Sequence, residues 1–307
     1  MRPINDERII TEYVRVHRLF DGVDLFESQI APFGEDVADR LRQGVNLAGR
    51  WWNREWLLGN VEARLDADRE IAVVSGQFGW YSEAPTQDAP PPYDRTAHRW
   101  STEPTKRRNG VLALFALDVN SQIAAVTSLA GDVSVPGFSK ALTDLLNRAE
   151  RDAAATEAGR STREWLVEPV DERGTFEAWV DSVARVTRVT ARFHLPNPRS
   201  NDDLDPVVNY LNELGASKGS IAASNENGLD PYGHPMMKSA IAMQENDYGT
   251  VRAKGYRSSG EESLFASRDH PVRDIINFDP RDSILSMAGV AVLILRRLAD
   301  RLERGLR

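Results

Sequence analysis

The sequence predicts an α+β protein: an antiparallel or mixed sheet with helices on one face, of ferredoxin-like character, followed by a C-terminal helical segment. Three observations carry this reading. Short strand-like and helix-like segments alternate between residues 164 and 256. Apolar residues make up 41% of the chain and charged residues 27%, spread along its whole length, which is the composition of a packed protein. The 307 residues leave room for one large core with appendages or two modest domains. The division expected is a globular α+β unit over 1–247, then a strand pair, linker and helix over 248–307 as a dimerisation segment.

Taken in order, residues 8–20 carry Ile10, Tyr13, Val14 and Leu19 in imperfect alternation and predict a strand. Val37, Leu41 and Val45 lie near helical spacing with Gly44 late, predicting a helix over 35–47. Trp51, Trp52 and Trp56 follow. Clustered Trp can form a stacking platform for bases, but burial in a core is the commoner use and the one expected here. Residues 70–81 read as a strand, and 111–117 with 122–127 as a hairpin turned at Asp118-Val119-Asn120-Ser121. Between them, 83–109 contain Pro85, Pro90, Pro91, Pro92 and Pro104 and almost no aliphatic side chains, the composition of a long mobile loop. It ends in Lys106-Arg107-Arg108, which reads as a phosphate contact or a solvated loop tip.

Leu142, Leu145, Leu146 and Ala149 predict an amphipathic helix over 138–155. The alternating segments are 164–170, 175–183, 185–195, 204–214, 220–224, 235–244 and 250–256. Asp279 as N-cap and Pro280 at the first helical position then open a final helix to about residue 302. Its Ile284, Leu285, Ala288, Val292, Leu295 and Leu298 form an apolar stripe, expected to make a homodimer contact or else to pack on its own domain.

Composition removes several function classes. With no cysteine there is no disulfide, thiolate nucleophile or Cys-ligated metal. Residues 1–20 are charged throughout and have no signal-peptide core, and the apolar run 284–295 is short of the roughly 18 residues a membrane span needs, so a cytoplasmic protein is expected. The five His are scattered and form no HExxH, and there is no GxSxG elbow, P-loop or GxGxxG. Gly215-Ala216-Ser217-Lys218-Gly219-Ser220 is better read as a helix C-cap and turn than as a phosphate cradle. Asp202-Asp203-Leu204-Asp205 could hold Mg²⁺, but it precedes a helix with Pro206 in its first turn, where acids meet the helix dipole. No catalytic residue, metal or cofactor is assigned.

The informative feature is a strand with two characters. Over 185–195, Val189, Ala191, Phe193 and Leu195 share one face while Arg188, Thr190, Arg192 and His194 share the other. Over 251–256, Arg252 and Lys254 project from one face about 6.6 Å apart, a spacing that suits successive phosphates. Net charge is −8, so any polyanion surface must be local.

Val251-Arg252-Ala253-Lys254-Gly255, a turn at Gly260, the acidic pair Glu261 and Glu262, a polar linker to Asn277 and a last apolar helix resemble the RexA-like proteins, the cytoplasmic component of the lambda Rex exclusion system. Trp165-Leu166-Val167-Glu168-Pro169 and the strand 186–193 are similar to the central region of the same family. The resemblance covers roughly the second half of the chain. It implies a non-catalytic homodimer that binds double-stranded DNA with little sequence preference and pairs with a membrane ion-channel partner to abort phage infection. On this reading Arg252 and Lys254 contact DNA, strand geometry adds Arg188 and Arg192, and Lys106, Arg107 and Arg108 lie outside the matched region. The competing readings are a metal-dependent nuclease using Asp202, Asp203 and Asp205, and a protein-binding regulator such as an antitoxin.

Overall fold

The computed structural model describes residues 7–20, 33–66, 71–81, 93–100, 110–130, 133–156, 163–195, 204–246, 248–278 and 298. Contacts divide the chain into two units, one formed by 1–17, 26–168 and 273–307 and the other by 18–25 and 169–272. The expected boundary at 247/248 falls inside the second unit.

The first unit opens with β1 (Glu7–Phe20) and α1 (Phe33–Gly44). A tight hairpin of β2 (Ala48–Trp51) and β3 (Arg54–Asp66) follows, then β4 (Ile71–Tyr81). The short hairpin β5 (Tyr93–Asp94) and β6 (Arg99–Trp100) precedes β7 (Gly110–Asp118), β8 (Ile123–Ala130), α2 (Val135–Thr156) and β9 (Arg163–Pro169). The strands form one sheet in the order β1-β8-β7-β4-β3-β2, with β9 also pairing β1. Helices α1 and α2 pack on each other and on β2, β3 and β4. The core between them holds Val14, Leu41, Trp56, Leu58, Phe78, Phe115, Phe138, Leu145 and Trp165. The β7–β8 turn is fixed by Asp118, whose Oδ2 accepts from Ser121 N at 3.0 Å and Ser121 Oγ at 2.5 Å.

The second unit contains α3 (Thr175–Ser182), β10 (Arg185–His194), α4 (Asp205–Leu214), β11 (Lys218–Leu229), α5 (Pro235–Glu245), β12 (Gly249–Tyr256) and β13 (Glu262–Ala266). Its four strands are antiparallel in the order β11-β10-β12-β13. One face packs Val189, Ala191, Phe193, Val251 and Phe265 with Leu211 of α4 and Met237, Ala240 and Ile241 of α5. Gly215 ends α4 at φ 62°, as a helix C-cap requires, and Ala216 N donates to Leu211 O at 2.9 Å. The chain then returns to the first unit as β14 (Arg273–Phe278), which pairs antiparallel with residues 7–12 of β1, and Tyr13 Oη donates to Asp274 Oδ2 at 2.6 Å.

The fold is therefore not the ferredoxin-like sheet with helices on one face that the alternation over 164–256 predicts. Strand outweighs helix, and the dominant element is an antiparallel sheet curled into a half-barrel. The expectation undercounts strands in the first half because β3 hides its period: Gly59 and Asn60 interrupt it at a register shift, where Asn60 has φ 54°. The polar linker expected up to Asn277 is instead structured, holding β13, a 3-10 turn at Ser267–Asp269 and most of β14. The loop expected over 83–109 contains an ordered hairpin at 93–100, pinned by buried Tyr93 and Trp100. Tyr93 Oη donates to Leu58 O at 2.7 Å and Trp100 Nε1 to Leu57 O at 3.2 Å. Core burial holds for Trp56 and only partly for Trp51, while Trp52 is 84% exposed.

Of the expected terminal stripe, Ile284, Leu285, Ala288, Val292 and Leu295 lie outside the described residues; Leu298 is helical and buried. Among the described residues, no helix is long and apolar enough to cross a membrane.

Candidate nucleic-acid interface

Period-two alternation sends every second side chain of β10 and β12 into the core of the second unit, so the intervening ones face away from it. Val189, Ala191 and Phe193 are buried while Arg188 and Arg192 are exposed; Val251 and Ala253 are buried while Arg252 is exposed and Lys254 half-exposed. Antiparallel register then sets these residues in rows across the sheet. One row runs Ser224, Arg188, Lys254, Leu264 from β11 to β13. The next runs Ala222, Thr190, Arg252, Ala266, and a third Ser220, Arg192, Thr250. Four cations thus stand on one surface, on strands roughly 4.8 Å apart, floored by small side chains on β11.

The end of this surface near β13 is more structured. Lys254 Nζ lies 2.6 Å from Glu262 Oε2, with both side chains well exposed. Tyr256 draws two cations, the Arg185 guanidinium at 5.3 Å from its ring centroid and the Lys254 ammonium at 5.5 Å. Hydrogen bonds to Glu262 and Tyr256 hold the Lys254 ammonium above the ordinary lysine range, so it is charged at every physiological pH. Glu262 is the carboxylate in the β12–β13 pairing, opposite Tyr256.

Arg188, Arg192, Arg252 and Lys254 are therefore brought together. Arg185 and Lys218 stand at the rim, neither singled out by the sequence; Lys218 pairs with His194 across β10 and β11. The register, which has no local sequence signal, is what adds them. His194 shares the parity of the basic face, but it is buried at the strand end with its ring edge-on to Tyr248. Lys106, Arg107 and Arg108 lie outside the described residues, as do Asp202 and Asp203. Asp205 is exposed in the first turn of α4, whose N-cap is Leu204 with no side-chain cap, so Asp205 supplies charge to the helix start rather than a cap.

No solved structure matches the chain. Residues 53–297 match the family model described as a domain of unknown function, DUF4747, a stretch that includes the whole of β10 through β13. The chain thus belongs to the DUF4747 family.

Proposed function

We propose that the protein binds double-stranded DNA with little sequence preference, through the open face of β10 and β12, without cutting it. The observation that carries this is the placement of Arg188, Arg192, Arg252 and Lys254 on one solvent-facing surface whose reverse side is the hydrophobic core. Cations in such an array gain little from one another and gain much from a polyanion, because phosphate contacts release condensed counterions. The surface also favours phosphates over bases. Four strands span about 14 Å between the outer backbones, more than the roughly 12 Å width of the major groove, so the sheet rides on the backbone and leaves base edges unread.

The resemblance to RexA-like proteins supports duplex DNA as the polyanion and a cytoplasmic, phage-exclusion setting. A homodimer would set two such faces against one duplex and offset the −8 charge of each chain; a membrane ion-channel partner would relay the response.

Fluorescence anisotropy with two labelled duplexes of unrelated sequence tests the reading. Both should bind alike, with affinity falling steeply in salt at a slope of roughly −0.9 per phosphate neutralised. Arg252→Ser combined with Lys254→Ser should flatten that slope by about two units and leave the fold intact. No binding at low salt, or Mg²⁺-dependent cleavage of the duplex, overturns it.

A further inference from the structure

The β2–β3 hairpin joins its strands through two residues, Trp52 and Asn53, since Trp51 pairs with Arg54. Trp52 has φ 54°. A bulky side chain at positive φ in a two-residue loop costs free energy, and the position suits Gly or Asn far better. Burial does not compensate, because Trp52 is 84% exposed. The most expensive apolar side chain is thus held in an unfavourable backbone conformation and out in water, which points to a use other than folding.

The tip is mounted firmly. Trp51 packs behind Trp52 with ring centroids 6.0 Å apart, and a Cβ on Gly137 of α2 would come within 3.1 Å of Trp51. Gly49 lets β2 sit directly on α2, where a Cβ would lie 2.2 Å from Ala141 O. Arg54, on the other side of the loop, lays its guanidinium 3.8 Å from the Trp80 ring centroid. Arg50 lies beyond Trp51, its guanidinium 3.6 Å from Glu55.

We infer that Trp52 is a stacking finger for an unpaired nucleobase of single-stranded nucleic acid, with the exposed Arg50 and Arg54, two positions to either side of it in the hairpin, supplying the nearby positive charge. An exposed indole on a hairpin whose two strands each carry an exposed arginine offers a π-face and positive charge together, the pairing that single-strand binders use. The local charge is small, since Glu55 neutralises part of it, so stacking rather than counterion release carries the affinity. This site is in the first unit and does not depend on the basic sheet face of the second.

Anisotropy of labelled oligo(dT) and oligo(U) tests it against two variants. Trp52→Gly relieves the positive φ and should leave the melting temperature unchanged or higher, yet weaken binding of both oligonucleotides by roughly 5- to 150-fold. Trp52→Phe should retain part of the affinity. Arg252→Ser with Lys254→Ser, which removes charge from the sheet face, should leave the Trp52-dependent difference in oligo(dT) binding intact, so failure of one site is distinguishable from failure of the other. The inference is overturned if the unaltered protein binds neither oligonucleotide, or if folded Trp52→Gly binds as tightly as the unaltered chain. It is equally overturned if Trp52→Gly loses only flotation on phosphatidylcholine vesicles, which would make the tip a membrane contact.

Discussion

Arg188 on β10 stands directly opposite Lys254 on β12. Like charges facing across a strand pair repel, at a cost of a few tenths of a kcal/mol to about 1 kcal/mol. Glu262 partly relieves Lys254 from its far side, at 2.6 Å. In the function proposed above, a bound polyanion gives this pairing its use.

Replacing Arg188 with Thr, a better strand former, should therefore stabilise the protein by about 0.2–1 kcal/mol while weakening duplex binding at low salt. Urea denaturation and anisotropy on the same preparation check both signs. A loss of stability with unchanged DNA affinity would contradict the role assigned to this surface.

Glu262→Gln should strengthen duplex binding. Phosphate must compete with the Glu262 carboxylate for Lys254, and removing that competitor should raise affinity by about 2- to 10-fold at low salt, the difference shrinking as salt screens the surface. An exposed pair of this kind contributes only about 0–1 kcal/mol to folding, so the melting temperature should scarcely move.

In the first unit, Arg40 Nε contacts Glu150 Oε2 at 2.6 Å, and both side chains are buried; Trp165 Nε1 donates to the same oxygen at 3.1 Å. Arg40→Met should cost roughly 3–5 kcal/mol by leaving the Glu150 carboxylate in the core without its countercharge. Adding Glu150→Gln should recover most of that loss, because the amide oxygen still accepts from Trp165. Equilibrium denaturation of the single and double variants measures the coupling.

Burial raises the Tyr93 phenol to about 12. The folded state then keeps a proton that the unfolded chain, titrating near 10, gives up. The resulting stability is fully present below pH 10 and is lost as pH rises toward 12. Denaturation between pH 9 and 12 should show this decline, and Tyr93→Phe should flatten it while losing the hydrogen bond to Leu58 O, worth about 1 kcal/mol.

The basic face is legible in the sequence because β10 and β12 alternate cleanly: Arg188 and Arg192 interleave with Val189, Ala191 and Phe193, and Arg252 and Lys254 with Val251 and Ala253. Side-chain parity needs no partner strand. Register does, so nothing local foretells that Thr190 faces Arg252 or that Lys218 joins the rim. His194 has the right parity and the wrong depth, since parity does not report what covers a strand end. Trp52 misleads for another reason. Residue type argues for burial, and only the two-residue loop with its positive φ turns the indole outward. The ferredoxin-like expectation fails on long-range pairing, which leaves no trace in local periodicity: β14 joins a strand at the other end of the chain.

That return strand also imposes a timetable on synthesis. Tyr13 and Asp274 are separated by 261 positions, so at roughly 5–20 residues per second the ribosome delivers the partner of residues 7–12 on the order of ten seconds or more after them. The second unit need not wait, because Val272 N donates to Val170 O at 2.8 Å and closes its ends on each other. During elongation residues 7–12 lack their β14 partner, as they would in any chain terminated before residue 273. A premature stop there would leave the second unit able to close its own ends while turning the half-barrel into a seed for strand-to-strand aggregation.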